Sequence, residues 1–255
     1  MIASLGMYDW APCQPANDRL WGLIRDNLRA KGMDAPDALT RGEGAYWAAW
    51  QSPDLLLSQT CGFPFRAKLH DAVTLVGTPD FGLEGCAPGY YFSVFIARAD
   101  DSRGDIGAFD GARFAYNEGL SQSGWAAAQN HVAPLGIHLS PFLQTGGHLL
   151  SARAVAEGRA DLAAVDAVTW RLIVKYNADL AAELRVVGRT DPTPGLPYIT
   201  AKGRNPERLF DGVAAAIAAL TAADRATLGL RGLIAIPAAR YLAVPTPPSP
   251  DQIAP

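Results

Sequence analysis

The chain has 255 residues, of which 49% are hydrophobic, so it can bury a substantial core in one large or two modest α/β domains. Its 22 basic and 25 acidic residues leave a net charge of -3, and the sequence lacks the basic clusters that bind nucleic acid. The longest strongly apolar stretch, residues 212–220, is too short to cross a bilayer.

The first part of the chain alternates strands and helices. A strand is predicted for residues 4–10, and an amphipathic helix for 17–32, which places Leu20, Ile24 and Leu28 on one face. A short helix over 44–52 precedes two further strands at 54–60 and 72–78. Apolar strands separated by helices are typical of parallel sheets that are covered on both faces.

Two long extended segments, residues 89–100 and 184–201, bracket a region with its own alternation of strands and helices. We interpret them as two crossings between domains. One domain then comprises residues 1–96 and 194–255, and the other comprises residues 97–193. The last residues, PTPPSPDQIAP, are expected to form a loose or extended end because their prolines cannot pair well.

A loop with two hydroxyl groups stands where a strand passes into an alanine-rich helix. Ser121, Gln122, Ser123 and Gly124 follow the strand-like residues 112–116. The N-terminus of a helix offers unpaired N–H groups and a favourable dipole for anions, and glycine permits a close approach. The loop therefore predicts either a site for an oxyanion or an ordinary serine cap.

A second loop repeats this pattern further along the chain. Thr145, Gly146 and Gly147 precede His148, which stands in the first turn of a predicted helix and can donate to an anion. Asp166 comes at the carboxyl end of the strand-like run 160–165, where ligands bind in open α/β sheets. Asp166 is also a candidate N-cap for the helix that begins at Ala167, and both roles can hold together.

The three cysteines are too few for a disulfide scaffold and lack the spacing of a zinc site. Cys61 and Cys86 each follow a strand-like run. If those strands are parallel neighbours, both sulfur atoms lie beyond the same sheet edge. The sequence therefore allows either a disulfide bridge between Cys61 and Cys86 or two separate thiols.

Several motifs, taken in this order, resemble the phosphonate-binding proteins of ABC importers, a branch of the type II periplasmic binding proteins. They are LLLSQTCGFPF, ARFAYNEGLSQSGW, TGGH, AVAEGRADLAAVDAVTW and TDPTPGLPYITA, and they cover most of the chain. The resemblance implies two α/β lobes, each with a mixed, mostly parallel sheet flanked by helices. Two hinge strands near residues 92–98 and 188–197 would join the lobes, which close on a ligand.

The same resemblance implies a function and a set of ligand-binding residues. We expect a non-catalytic protein, a monomer without metal or cofactor, that binds a small phosphonate or phosphate-like oxyanion and delivers it to an ABC permease. Its serine loop would hold the oxyanion, and a small hydroxyl residue is commoner at the position of Gln122. The residues expected to bind the ligand are Tyr8, Thr60, Ser121, Gln122, Ser123, Gly124, His148 and Asp166.

Alternatives remain open at this point. The family is periplasmic, but the N-terminus from Met1 lacks the pattern of an export signal, so a cytoplasmic location is also open. Cytoplasmic lyases of menaquinone synthesis and effector-binding regulators share the fold and would bind a small carboxylate. A serine hydrolase using Ser121, His148 and Asp166 fits less well, because its nucleophile motif would require glycine at position 123.

Overall fold

The computed structural model describes residues 1–253, and contacts divide the chain into two compact units. The first unit comprises Met1–Tyr90 and Pro194–Ala243, and the second comprises Tyr91–Thr193 and the chain from Val244 onward. Each unit has a five-stranded mixed sheet with helices, so the predicted mixed α/β fold is confirmed. No helix within residues 1–253 is both long and apolar enough to cross a membrane.

The strands are, in chain order, β1 (Ile2–Ser4), β2 (Leu55–Gln59), β3 (Val73–Asp80), β4 (Tyr90–Tyr91), β5 (Ser93–Arg98), β6 (Phe114–Tyr116), β7 (Phe142–Gln144), β8 (Leu162–Asp166), β9 (Leu184–Arg189), β10 (Thr193–Pro194), β11 (Tyr198–Ala201) and β12 (Gly232–Ile234). The helices are α1 (Gln14–Ala30), α2 (Trp47–Trp50), α3 (Gly62–Pro64), α4 (Ala127–Val132), α5 (His148–Ala156), α6 (Ala167–Tyr176), α7 (Ala178–Ala182), α8 (Pro206–Ala219), α9 (Ala222–Leu228), α10 (Ala238–Leu242) and α11 (Pro250–Ile253). Two π-helical segments, Phe65–Leu69 and Gln122–Ala126, adjoin α3 and α4.

The sheet of the first unit has the order β1-β2-β11-β3-β12. Strand β1 pairs in parallel with β2, whereas β11 is antiparallel to both β2 and β3. The predicted strand at residues 4–10 is shorter and earlier than expected, because Gly6–Tyr8 forms a 3-10 turn after β1. Helix α1 buries Leu20, Ile24 and Leu28 as its periodicity predicts.

The sheet of the second unit has the order β7-β6-β8-β5-β9. Strands β6, β7 and β8 run in the same direction, since β6 pairs in parallel with each of the other two. Strand β8 is buried along its whole length, as its continuous apolar sequence predicts. The carboxyl ends of these three strands therefore meet at one edge of the sheet, and the loops that follow them are brought together there.

The chain passes between the units at Tyr90–Tyr91 and at Thr193–Pro194, and these two segments pair as the small sheet β10-β4. It passes a third time after Ala243. Residues 244–253 are called the tail below. Residues 245–255 were expected to be loose and to belong to the first domain, and the last two of them lie outside the described residues. In the structure the tail belongs to the second unit and contains α11, and the carbonyl groups of Pro245 and Pro248 accept hydrogen bonds from Asn130 and Trp125.

The cysteines do not form the bridge that one interpretation of the sequence allowed. Cys61 and Cys86 are both thiols in the structure. Strands β2 and β3 do run in the same direction, but β11 lies between them, which separates them by about 10 Å at normal strand spacing. Cys86 also lies six residues beyond the end of β3 at Asp80, so the two cysteines do not share one strand edge as neighbours.

Candidate functional site

The candidate site lies in the second unit, at the edge where β6, β7 and β8 end. The serine loop, residues 121–124, lies beyond β6, His148 begins the helix after β7, and Asp166 is the last residue of β8. Ser121, Gln122, Ser123 and Asp166 are all buried. The sequence predicted these positions from strand ends and helix starts, and the parallel pairing explains why they are neighbours.

Ser121 caps the helix that follows it. Its Oγ accepts a hydrogen bond of 2.9 Å from the N–H of Gly124, and its backbone is extended. Its carbonyl accepts from Ala126 N at 3.0 Å, which closes the wider turn of a π-helix. The capping alternative is therefore correct for Ser121.

Ser123 has a different environment from Ser121. Its Oγ lies 2.8 Å from Nε2 of His148, and its carbonyl accepts a hydrogen bond of 2.9 Å from Ser93 Oγ on β5. The hydroxyl and the imidazole are thus held side by side at the start of the helix. Such a pair can turn its protons toward an oxyanion that also meets the N–H groups of the first turn.

The position of Gly124 cannot hold a larger residue without rearrangement. A Cβ atom built there would lie 2.0 Å from Oδ1 of Asn117 and 3.2 Å from Cε1 of His148. Asn117 directly follows β6, and its Oδ1 is buried without a hydrogen-bond partner. Asn117 was not among the residues expected to bind the ligand, although it follows a strand end in the same way as the predicted site residues do.

The loop that carries His148 is fixed by its own hydrogen bonds. Thr145 Oγ1 lies 3.1 Å from the carbonyl of Tyr116 and 2.7 Å from Ser151 Oγ on α5. The N–H of Gly146 donates to the carbonyl of Asn117 at 2.9 Å, and Gly146 adopts a left-handed conformation with φ of 85°. These bonds tie the start of α5 to the end of β6 and hold the imidazole beside the serine loop.

His148 is largely buried and lies near one carboxylate. Its Nε2 is 3.5 Å from Oδ2 of Asp166, and its side chain is 13% exposed. Burial lowers the pKa of His148 below its ordinary value of 6.5, whereas the charge of Asp166 and the backbone of Ala164 oppose that shift. The imidazole is therefore neutral near pH 7 in the ligand-free protein.

Asp166 caps helix α6 and also lies at the sheet edge beside His148, the two positions that the sequence allowed for it. Its Oδ1 accepts hydrogen bonds from the N–H groups of Val168 at 3.1 Å and Thr169 at 2.9 Å, so it caps α6. Its Oδ2 faces His148. One oxygen is thus committed to the helix, and the other lies beside the imidazole.

Tyr8 and Thr60 belong to the first unit. Tyr8 ends a 3-10 turn, and its ring meets Phe81 edge to face at 5.1 Å. Thr60 follows β2 and donates its N–H to Pro197 at 3.0 Å, while its buried Oγ1 has no hydrogen-bond partner. Their roles in ligand binding stay predictions, as do those of the residues in the second unit.

The described residues contain no group of three or more His, Cys, Asp or Glu side chains that could hold a metal ion. Besides the carboxylate of Asp166, the sheet edge carries possible hydrogen-bond donors: a helix N-terminus, hydroxyl groups and one imidazole. These donors are suited to a small anion with several oxygen atoms.

The two mixed sheets and the chain crossings between the units agree with the fold of type II periplasmic binding proteins, which the solved structures below share. Residues 54–240 match the family model described as "ABC transporter, phosphonate, periplasmic substrate-binding protein". The match covers more than half of the chain, and the chain belongs to this family. The family resemblance drawn from the sequence is thereby confirmed.

Solved structures share this fold at low sequence identity. PhnD1 from Prochlorococcus marinus in complex with methylphosphonate is 16% identical with a TM-score of 0.71, and the match covers 94% of each chain. A binding protein component of an ABC phosphonate transporter from Pseudomonas aeruginosa is 16% identical with a TM-score of 0.67, covering 92% of this chain and 81% of that one.

XAC2383 from Xanthomonas citri bound to ATP is 15% identical with a TM-score of 0.68, covering 89% of this chain and 91% of that one. No curated protein matches the chain by sequence. Structures with such low identity define the fold, while the family model defines the kind of protein.

Proposed function

We propose that this chain captures a small phosphonate through the serine loop and His148 and delivers it to the permease of an ABC importer. The observation that carries the proposal is the 2.8 Å contact between Ser123 Oγ and His148 Nε2 at a helix N-terminus. Family membership and the relative that is complexed with methylphosphonate support the class of ligand.

The candidate ligand-binding residues of the second unit have separate roles in the proposal. Ser121, Ser123 and the first-turn N–H groups hold the oxygens of the phosphonate, and His148 donates a proton to them. Gln122 takes the place of a smaller residue and narrows the range of ligands. Asp166 orients the imidazole with one oxygen and reads the substituent of the ligand. Tyr8 and Thr60 are the ligand contacts proposed for the first unit.

The interaction energies are sufficient for this role without covalent chemistry. Four or five charge-assisted hydrogen bonds contribute roughly 1.5 to 3 kcal/mol each. Their sum, roughly 6 to 15 kcal/mol, exceeds an association cost of at least ~4 kcal/mol, and the range that remains includes the about 8 kcal/mol of micromolar affinity. Reversible binding in this range suits a protein that must release its ligand to a permease.

The arrangement of Ser123, His148 and Asp166 favours binding over hydrolysis. In a catalytic triad the serine and the carboxylate contact opposite nitrogens of the imidazole, so that one orients the ring while the other loses its proton. Here the hydroxyl, at 2.8 Å, and the carboxylate, at 3.5 Å, approach the same atom, Nε2. We therefore propose that the protein is not an enzyme.

The location and the assembly state complete the proposal. The family is periplasmic, and its members work with a permease. We propose that this chain also acts in the periplasm, as a monomer that delivers its ligand to the permease. Size-exclusion chromatography with light scattering tests the monomer, and fractionation of cells that express the full-length gene tests the compartment.

A ligand screen tests the proposed function. Thermal unfolding is measured with methylphosphonate, aminoalkylphosphonates, phosphate, phosphite, methanesulfonate, malate and ATP, and hits are followed by titration calorimetry. A ligand at 100 times its Kd adds about 2.7 kcal/mol of stability. We expect phosphonates to stabilise the protein most. Stabilisation by malate or another carboxylate alone would contradict the proposal and favour a carboxylate-binding role.

A further inference from the structure

The tail lies along the helix that carries the serine loop. The indole N–H of Trp125, the residue after Gly124, donates to the carbonyl of Pro248 at 3.0 Å. Five residues further on, Asn130 Nδ2 donates to the carbonyl of Pro245 at 2.9 Å. A Cβ on Gly119, before the loop, would lie 3.1 Å from Cδ of Pro250. The tail thus runs antiparallel to residues 119–130.

The contacts with the tail are made by residues that are otherwise well fixed. Trp125 is completely buried, and its ring packs against Tyr116 of β6 and Phe142 of β7, each at a centroid distance of 4.9 Å. The strands therefore hold the ring from one side, and the tail carbonyl takes its only polar atom. A shift of the tail would leave a buried N–H without an acceptor, which is energetically unfavourable.

The composition of the tail suits it to this position. Prolines at 245, 247, 248 and 250 restrict the backbone, so little conformational freedom is lost when the tail is ordered. Prolines lack an N–H but keep a carbonyl, and the two carbonyls that accept from the helix belong to Pro245 and Pro248. At the start of α11 the N–H of Ser249 donates to Oε1 of Gln252 at 2.8 Å, and the N–H of Gln252 donates to the carbonyl of Ser249 at 3.0 Å.

We infer that the tail is a positioning element for the anion site, which it stabilises by holding the first turns of the serine-loop helix through Trp125 and Asn130. The inference rests on the proposed function for its ligand, but its structural part does not depend on which anion binds. Trp125 and Asn130 are positioning residues, since neither is proposed to touch the ligand.

Full-length variants test the inference with matched controls. The double variant Trp125→Phe/Asn130→Ala removes both donors to the tail, and Trp170→Phe makes the same aromatic change on α6. Gly119→Ala pushes against Pro250, whereas a Cβ at Gly104 meets nothing within 4 Å, so Gly104→Ala is its control. Neither Gly119 nor Gly104 has a positive φ, so alanine fits both backbones.

Hydrogen exchange of the ligand-free protein gives the first readout. We expect the amides of residues 122–126 to exchange at least tenfold faster in Trp125→Phe/Asn130→Ala and in Gly119→Ala, and within twofold of wild type in both controls. A purely structural contribution of the tail would instead speed exchange evenly over the whole second unit, or not at all. Either result would overturn the inference.

Methylphosphonate binding gives the second readout. We expect Kd to rise at least tenfold in the double variant, mainly through faster dissociation, with the controls unchanged. An unchanged Kd in the folded variant would also overturn the inference. If wild-type protein does not bind methylphosphonate, the proposed function fails. The exchange experiment then still decides whether the tail positions the serine loop.

Discussion

Ser123 and His148 are 25 residues apart in the sequence, yet Oγ and Nε2 lie within 2.8 Å of each other. The contact exists because β6 and β7 pair in parallel and release their chains at the same sheet edge. Each residue alone has an ordinary structural explanation, as a helix start or a buried ring. Together they form a donor pair at a helix N-terminus, which makes the site specific enough to test.

The two serines of the loop are expected to differ in what they control. Ser123→Ala should raise the Kd for methylphosphonate at least tenfold, or about 1.4 kcal/mol, with little change in stability. Ser121→Ala removes the cap on Gly124 N as well as a proposed ligand contact, so it should both weaken binding and cost about 1 kcal/mol of unfolding free energy. Ser102→Ala, in an exposed loop of the second unit, serves as the control. Equal affinity in Ser123→Ala and wild type would reduce the loop to a cap.

His148 makes the stability of the ligand-free protein depend on pH. Because burial lowers the pKa of His148 in the folded state, the unfolded chain takes up a proton near pH 6.5 while the folded protein stays neutral. Unfolding free energy should therefore fall as pH decreases from 7 toward 5. The slope should flatten in His148→Gln, as measured by urea unfolding at each pH.

A histidine far from the site provides the control for this experiment. The His138 side chain is 86% exposed, so His138→Gln controls for the general effect of replacing a histidine by glutamine. When a phosphonate is bound, its negative charge favours the imidazolium form of His148. The decrease in unfolding free energy between pH 7 and pH 5 should then be smaller than in the ligand-free protein. An identical slope in wild type and His148→Gln would contradict the buried neutral imidazole.

Gly124 and Asn117 are expected to be energetically coupled. Gly124→Ala places a methyl group against Asn117 Oδ1 and should destabilise the protein by about 1 to 3 kcal/mol. In an Asn117→Ala background only the milder contact with His148 Cε1 at 3.2 Å remains, so most of this cost should disappear, and alanine gains helix propensity of up to about 1 kcal/mol over glycine. Urea unfolding of the four proteins gives the coupling energy. The same cost in both backgrounds would show that Asn117 is not what excludes a side chain.

The substitution Thr60→Val distinguishes a ligand-binding role of the Thr60 hydroxyl from a structural one. Its buried Oγ1 has no hydrogen-bond partner, so Thr60→Val should leave stability unchanged or raise it by up to about 1 kcal/mol. If the hydroxyl binds the ligand, Kd for methylphosphonate should rise at least threefold. Thr200→Val is the matched control, because Thr200 Oγ1 donates to Leu55 at 3.3 Å and should affect stability alone. An unchanged Kd in Thr60→Val would remove Thr60 from the proposed site.

Local sequence patterns placed the candidate residues at strand ends and helix starts, but they predicted little of the long-range pairing. Ser121, His148 and Asp166 were singled out because hydroxyl, imidazole and carboxylate groups at such positions have a local signature, and their roles in binding stay predictions. The insertion of β11 between β2 and β3 has no such signature, since it depends on a strand that returns about 140 residues later. The open question of a bridge between Cys61 and Cys86 depended on that unseen strand.

Two further features escaped prediction for related reasons. Asn117 is a polar residue after a strand like several others, and only its packing against Gly124 distinguishes it. The proline-rich tail reads as an unpaired end, because its order comes from carbonyls that accept bonds from Trp125 and Asn130, residues more than 110 positions away. Hydrogen bonds to backbone carbonyls leave almost no trace in the identity of the accepting residue.

The shared direction of β6, β7 and β8 separates the framework of the second unit from the short connections at its edge. A sensor for another ligand could therefore be engineered by replacing residues 117–124 and 145–148. The buried strands that carry these loops would then remain as an unchanged scaffold.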